Sequence, residues 1–172
     1  MITNELQERV TGWFAGRLPA EWQSAPADVT VDREEITVVL TIADVDLEGS
    51  SEAALAEARA GRASAFREQT RGQRMEIAQE AQHRFERKVS WGVAIGDRSE
   101  LWTHVAAPTM TRLRQPQRLV LDTLVDAGVA RSRSDALAWS VRLVGQHADE
   151  WLGTLRDAMG EVDKLRGEGP SL

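Results

Sequence analysis

Arginine side chains cluster between residues 109 and 145, and a cluster of this kind can bind an anion. The segment has six arginines and three aspartates, a local charge of +3, whereas the whole 172-residue chain has a formal net charge of −6. The remaining residues therefore carry −9. A basic segment on an acidic protein indicates a local anion-binding face, and the overall negative charge argues against a nonspecific nucleic-acid coat.

A second feature suited to anion binding is a helix start predicted at Ser132. The spacing Ser132-x-x-Asp135 is that of a capping box, with aspartate in place of the usual glutamate or glutamine. Gly128 suits the position just after the preceding helix. Free N–H groups at a helix start bind phosphate, so this turn is a predicted phosphate contact.

Other chemistries find little support in the sequence. The absence of cysteine excludes disulfides, zinc–cysteine sites, iron–sulfur clusters and a thiol nucleophile. Glu80-x-x-His83 has the spacing of half a carboxylate-bridged di-metal site, but no matching second half exists. Because no glycine-rich phosphate loop or Gly-x-Ser-x-Gly motif occurs either, we expect a non-enzymatic protein without cofactor or metal.

The chain also has no recognisable targeting segment. The first residues lack a basic region followed by an apolar run, so no signal peptide is predicted. No run of about 18 apolar residues occurs, so no membrane span is predicted. A cytoplasmic location is the expectation.

Residues 1–107 are expected to form an α+β module of unknown role, with the order α-β-β-α-β-β. Residues 19–27 are predicted to be irregular because they contain two prolines. Pro108 marks the expected domain boundary. The predicted elements are a helix over 3–17 capped by Thr3, strands over 29–31 and 36–42 joined by a turn at 32–35, a helix over 52–88 capped by Ser51, and strands over 89–95 and 101–107.

The helix predicted over 52–88 is rich in charge. Its second half has a more continuous row of apolar residues than its first half and is expected to pack on the sheet. Trp91 and Trp102 are predicted to face each other across the following hairpin. Because glutamates are interleaved with the arginines, an ion-paired, solvated face is expected. The arginines are Arg59, Arg62, Arg67, Arg71 and Arg74, and the glutamates are Glu57, Glu68 and Glu76.

Residues 108–166 are predicted to form a separate unit. A short polar strand over 109–114 is followed by a helix that begins near Pro116. A second helix then continues to about residue 165 with apolar residues spaced three or four apart. The glycine- and proline-containing tail, 167–172, is expected to be disordered.

The run from Val125 to Gly128, then Ser132 to Leu137 and Val141 to Val144, resembles the turn and second helix of ribbon-helix-helix proteins. This family includes small bacterial repressors and the DNA-binding halves of many antitoxins. The resemblance covers about residues 109–145. It implies that two chains intertwine and that their strands pair into a ribbon in the DNA major groove.

The resemblance supplies two sets of expected site residues. Alternation along the strand sends Leu113 inward, with Thr109 and Thr111 on its face. The outward arginines suit bidentate contact with guanine. The residues expected to contact DNA are Met110, Arg112, Arg114, Arg118, Arg131, Ser132, Arg133 and Ser134. Those expected in the dimer interface are Leu113, Leu121, Leu124, Leu137, Val141 and Val144.

The resulting hypothesis is a homodimeric, sequence-specific, bacterial DNA-binding protein that regulates transcription and binds double-stranded DNA. Residues 1–107 could take a protein partner or sense a ligand. A protein-interaction or antitoxin-like scaffold is one alternative, suggested by the acidic balance and the large appended module. An RNA- or ribosome-associated factor is another, suggested by the mixed module and its basic helix.

Overall fold

The computed structural model describes residues 4–47 and 49–167, and its mixed helix and strand content confirms the α+β class. The chain divides into a first unit, Met1–Ala107, and a second unit, Pro108–Leu172. The predicted cap Thr3 and residues 168–172 of the predicted tail lie outside the described residues, whereas Gly167 ends the last helix.

The first unit contains helices and a four-stranded sheet. The elements are α1 (Asn4–Arg17), a 3₁₀ turn (Ala20–Trp22), β1 (Ala25–Val31), β2 (Glu35–Thr41), α2 (Glu52–Gln69), α3 (Arg71–Phe85), β3 (Lys88–Ile95) and β4 (Arg98–Leu101). The strands lie in the order β1-β2-β3-β4. The central pair β2–β3 is parallel, and the two outer pairs are antiparallel. Helices α2 and α3 lie in the crossover that a parallel pair requires.

The predicted turn between β1 and β2 is held by Asp32, whose Oδ1 accepts hydrogen bonds of 2.7 Å from the N–H groups of Glu34 and Glu35. The prediction that 19–27 is irregular was wrong at its end, because β1 begins at Ala25. Pro26 lies at an irregularity of the edge strand between Ala25 and Asp28, where a missing N–H is tolerated.

The core of the first unit lies between the sheet and helices α1 and α3. Alternate residues of β2, Ile36, Val38 and Leu40, are fully buried, which fixes the register of the strand. They pack in one cluster with Phe14 of α1 and Ile77 of α3. The second half of the long helical segment therefore packs on the sheet, as expected.

The single helix predicted over 52–88 was wrong: the segment is divided at Thr70 and ends at Phe85. The Thr70 hydroxyl donates to the carbonyl oxygen of Phe66 (2.7 Å) and accepts from Arg74 Nε (2.9 Å). Such local side-chain bonds compete with the helix ladder. The predicted cap is present, since Ser51 Oγ accepts from the N–H of Ala54.

The prediction for the last strand of the first unit was wrong. The strand covers Arg98–Leu101, not 101–107, and residues 102–107 belong to no strand. Gly96 has a φ of +57° and makes the turn so tight that β4 begins two residues later. The chain is then held beside β3, because Trp91 O accepts from the Trp102 N–H at 2.8 Å.

The second unit is helical in its described part. The helix predicted to run unbroken to about residue 165 was wrong, because it is interrupted at Ala148, whose φ and ψ are −120° and 18°. Asp149 and Glu150 follow at once, and acidic residues favour a helix start. Residues 109–114 form no strand within the single chain. The helices are α4 (Gln115–Asp126), α5 (Arg133–His147) and α6 (Asp149–Gly167).

Within residues 4–47 and 49–167, no helix combines the length and apolar character needed to cross a bilayer.

Candidate nucleic-acid interface

The turn between α4 and α5 has the geometry that its sequence predicts. Gly128 has a φ of +72°, in the left-handed region that glycine adopts without a steric penalty. Its N–H donates to Val125 O at 3.0 Å, and the N–H of Val129 donates to Leu124 O at 3.0 Å. This double closure is a Schellman-type end for α4, and it turns the chain toward α5.

A small apolar cluster holds the two helices together. Leu121, Ala130 and Ala136 are buried, and half-buried side chains pack around them, including Leu113 from the segment before α4. Leu113 therefore faces inward, as expected. Of the other residues predicted for a dimer interface, Leu121, Leu124 and Leu137 belong to this cluster within one chain, whereas Val141 and Val144 are exposed.

The start of α5 is capped by two side chains. Ser132 Oγ accepts from the Asp135 N–H at 3.2 Å, and Asp135 Oδ2 accepts from the Arg131 N–H at 3.0 Å. The second bond ends on Arg131, not on Ser132 as in a standard capping box. It holds the pKa of Asp135 below its usual value, with a further contribution from the Arg131 charge.

Arg133, expected to contact phosphate through its backbone N–H at the start of α5, has a side chain that is engaged within the unit. Its Nε and Nη2 donate to the two carboxylate oxygens of Asp122 at 2.6 and 2.8 Å. This bidentate pair connects the start of α5 to α4 and keeps the pKa of Asp122 below its ordinary value. Arg133 is therefore engaged in positioning the two helices.

The other predicted cations lie at the surface. Arg112 and Arg114 are exposed, Arg118 is exposed with Nη1 donating to Leu113 O at 2.7 Å, and the Arg131 side chain is 95% exposed. None of the first three takes part in an ion pair within the described residues.

The segment before α4 follows the expected alternation only in part. Met110 is 96% exposed, and Arg112 and Arg114 on its side are exposed as well. Leu113 points inward, but Thr109 and Thr111, expected on the same side, are exposed. Ser134 also lies exposed in the first turn of α5.

A large apolar surface remains uncovered on the second unit. The large apolar side chains exposed on α4 and the following turn are Leu119, Val120 and Val129, those on α5 are Val141, Leu143 and Val144, and those on α6 are Trp151, Leu155, Met159 and Val162. Against these, the buried apolar residues described in this unit are only Leu121, Ala130 and Ala136. These side chains are candidates for an interaction surface.

The arginines of α2 and α3 do not pair with the interleaved glutamates, contrary to expectation. Arg59 instead pairs with Asp44 at 2.6 Å and with Asp97. The ion pairs of the described residues include no pairing of Glu57, Glu68 or Glu76 with an arginine of these helices. The spacing of Arg71 and Arg74, three residues apart, is the sequence signal that these two cations share a face of α3, whereas Arg67 lies on α2.

Glu80, half of the discounted metal motif, forms a bidentate pair with Arg17 at 2.6 and 2.7 Å. In the part of the chain that the structure describes, no group of three or more His, Cys, Asp or Glu side chains is arranged to hold a metal ion.

Comparison with known proteins gives matches over both units. Residues 8–101 match the family described as Rv1265-like protein, N-terminal domain, and residues 114–166 match the Mb1296 C-terminal domain. The proteins Rv1265 of Mycobacterium tuberculosis and Mb1296 of Mycobacterium bovis are each 61% identical over 160 residues, which is 93% of this chain and 70% of each relative. These names state no activity. No solved structure matches the chain.

Proposed function

The chain belongs to the family of Rv1265-like proteins, and we propose that it is a homodimeric, sequence-specific DNA-binding protein that regulates transcription in the bacterial cytoplasm. In this proposal the second unit dimerises and binds DNA in the manner of ribbon-helix-helix proteins. No catalytic step is assigned to it.

The observation that carries the proposal is that the second unit exposes many more large apolar side chains than it buries in its described part. The three buried apolar residues described in this unit are too few to stabilise three helices against their conformational entropy. A second copy of the same surface would cover the exposed valines of α5 by two-fold symmetry. Burying each valine contributes about 1.5–3 kcal/mol, so a few such contacts per chain account for a stable dimer.

The segment over 109–114 supports the same arrangement. Its backbone has no strand partner within the described chain, and Leu113 already anchors it on the α4–α5 cluster. Pairing with the same segment of a second copy would satisfy its N–H and C=O groups. The exposed Arg112 and Arg114 of both copies would then project from one face of a two-stranded ribbon, which fits the major groove.

Phosphate contacts would come from the flanks of this ribbon. Arg118 and Arg131 are exposed and can approach the DNA backbone, and Ser134 lies in the first turn of α5. Ser132 acts through its cap, which fixes the direction of the α5 N–H groups. Arg133 acts through Asp122 by holding α5 on α4.

Selection from a random 20-base-pair duplex library tests the proposal, followed by fluorescence anisotropy of the enriched duplex at 50 and 200 mM salt. We expect tight, salt-dependent binding that weakens at least about 100-fold in the double variant Arg112→Ala/Arg114→Ala, because each bidentate guanine contact contributes about 1–3 kcal/mol.

The matched control is Arg142→Ala/Arg156→Ala, which removes the same charge from exposed helical positions of the same unit. Its affinity should fall only by a small, sequence-independent factor. An equal loss in both double variants would remove base recognition from the proposal. Failure to enrich any duplex would remove DNA binding altogether.

A protein-interaction scaffold is the second candidate, favoured by the apolar stripe of α6. Trp151, Leu155 and Met159 recur every four residues and are exposed. A helix of this kind can lie in the groove of a partner. Substitution of Trp151 and Leu155 by serine separates the candidates, because loss of a co-purifying protein with DNA affinity unchanged would favour the scaffold.

A further inference from the structure

A cavity of about 430 Å³ lies in the first unit beside the junction of α2 and α3. It is distinct from the proposed DNA-binding surface, since all its lining residues fall between 67 and 103. Three of them are the arginines Arg67, Arg71 and Arg74. The volume is within the range of pockets that bind small organic ligands.

Arg74 is the central cation of this cavity, and it is 93% buried. Its Nε donates to Thr70 Oγ1 at 2.9 Å and its Nη2 to Arg67 O at 2.7 Å. A guanidinium has five N–H donors. Within the described residues the remaining donors of Arg74 have no hydrogen-bond partner, and no carboxylate forms an ion pair with it.

Two tryptophans hold the Arg74 guanidinium in place. Its central carbon lies 4.6 Å from the ring centroid of Trp102 and 5.9 Å from that of Trp91. Such cation–π contacts offset part of the cost of burying the charge. The guanidinium plane is therefore fixed before any ligand arrives, which lowers the entropy lost on binding.

The electrostatics of the cavity favour an anion. Burial, followed by the positive charge of Arg67, lowers the pKa of Arg74 to about 10, so the group stays charged at neutral pH. Arg71 adds to the repulsion, and Glu68 opposes it. Glu100, the other nearby carboxylate, is engaged by Trp102 Nε1 at 2.8 Å and Arg98 at 2.9 Å. Three cations against one free carboxylate leave an excess of positive charge.

The rest of the lining is apolar on one side. Met75, Ala78 and Val89 line the cavity with the tryptophans, and Met75 is more than half exposed. A flat ring can lie against such a surface. Glu68 can accept hydrogen bonds from hydroxyl groups. The cavity therefore combines an anion subsite, an apolar surface and a hydroxyl acceptor.

We propose that this cavity binds a mononucleotide, with its phosphates on Arg67, Arg71 and Arg74 and its base on the apolar wall. The site goes beyond the DNA-binding function and does not depend on it. It would give the first unit a role in sensing a small phosphorylated ligand.

Isothermal titration calorimetry of the full chain tests the proposal with four probes: AMP, ATP, inorganic pyrophosphate and adenosine. A further titration with GTP compares the two bases. We expect micromolar binding of at least one nucleotide, weaker binding of pyrophosphate, and no binding of adenosine. The double variant Arg67→Ala/Arg71→Ala should lose at least tenfold in affinity, because both side chains are exposed and their removal leaves the core intact.

Arg84→Ala is the matched control, since it removes an exposed cation from α3 outside the cavity. Arg74→Lys keeps the charge but loses the planar donor fork, so it should also bind weakly while retaining its near-ultraviolet circular dichroism. Binding of no nucleotide at millimolar concentration, equal affinity for nucleotide and pyrophosphate, or an unchanged affinity in the Arg67/Arg71 variant would each overturn the proposal.

Discussion

The two units of this protein bury apolar surface in opposite ways. The first unit places α1 and α3 on a four-stranded sheet and buries large side chains such as Phe14, Ile36 and Leu40 completely. The second unit buries Leu121 and two alanines in its described part and leaves ten large apolar side chains of α4, α5, α6 and the intervening turn exposed. We therefore expect the first unit to be stable as a single copy, and we propose that another molecule covers the second unit.

The largest expected effect concerns the core of the first unit. Phe14 is fully buried and packs edge-on against Trp13 and Trp91, with ring centroids 4.9 and 6.2 Å away. Phe14→Ala should lower the free energy of unfolding by about 3–5 kcal/mol through lost burial and the cavity left behind. Urea unfolding followed by tryptophan fluorescence measures it, and the loss should be independent of protein concentration.

The exposed Leu47 provides the control for that substitution. Leu47→Ala should change the stability by less than about 0.5 kcal/mol, as is usual for surface positions. A concentration-dependent effect of Phe14→Ala would mean that the first unit also needs a second copy, and the contrast between the units would fail.

The next effect concerns self-association of the second unit. Val141 is 64% exposed in the single chain and Val144 is exposed beside it on the same face of α5. Val141→Glu/Val144→Glu should weaken the dimer at least about 100-fold, since the two copies together lose four partly exposed valines, which amount to about 3 kcal/mol or more. Sedimentation velocity across a range of concentrations measures the shift from dimer to monomer.

Gln146→Glu is the control for the double substitution, because Gln146 is exposed on another side of α5. It should leave the dimer intact. A wild-type chain that sediments as a monomer at micromolar concentration would contradict both this prediction and the proposed ribbon.

A smaller effect distinguishes two glycines of the second unit. Gly128 has a φ of +72°, whereas Gly145 lies inside α5, and an added Cβ would meet nothing within 4 Å at either position. Only backbone conformation therefore separates them. Gly128→Ala should destabilise the unit by about 1 kcal/mol, and Gly145→Ala should stabilise it by about 0.5–1 kcal/mol. Thermal unfolding of both variants measures the difference, and shifts of the same sign would contradict the role of Gly128 in the turn.

The sequence predicts best where one local pattern decides the structure. The α+β class, the turn at Asp32, the Ser51 cap and the turn at Gly128 follow from alternation, capping and glycine conformation within a few residues. The helix break at Thr70 was missed because it depends on hydrogen bonds from a threonine to residues on both sides. Gly72 weakens the helix two residues later, but a single glycine is tolerated within a helix and does not specify the break at Thr70.

The candidate sites depend more on distant contacts, which a local pattern does not specify. Arg133 was expected to contact phosphate through its backbone N–H, and no local pattern indicates that its side chain pairs with a carboxylate eleven residues earlier on another helix. Arg74 was expected on a solvated face, but two tryptophans from after the crossover bury it. In both cases the residue type indicated a cation that contacts other groups, but the group that it contacts could not be predicted from nearby residues. The strand over 109–114 stays a prediction, because its partner would be a second chain.

The smallest expected effect is a pH dependence of the Asp122–Arg133 pair, which joins the helices of the second unit. The Arg133 guanidinium holds the pKa of Asp122 below its usual value of about 3.9. A carboxyl group with a lowered folded-state pKa contributes stability above its unfolded pKa and loses it as the pH falls through the folded value. The contribution should therefore be constant from pH 8 to 5, begin to fall near the unfolded-state pKa of about 3.9, and vanish only below the lowered folded-state pKa. Asp122→Asn should be less stable than the wild type at pH 7 and equal to it at low pH.

Asp126→Asn, at an exposed position of α4 without an ion pair in the described residues, should show no such convergence. If the Asp122→Asn difference persisted unchanged at pH 3, the charge pair would not be what joins α4 to α5, and the small cluster around Leu121 would have to hold the helices unaided.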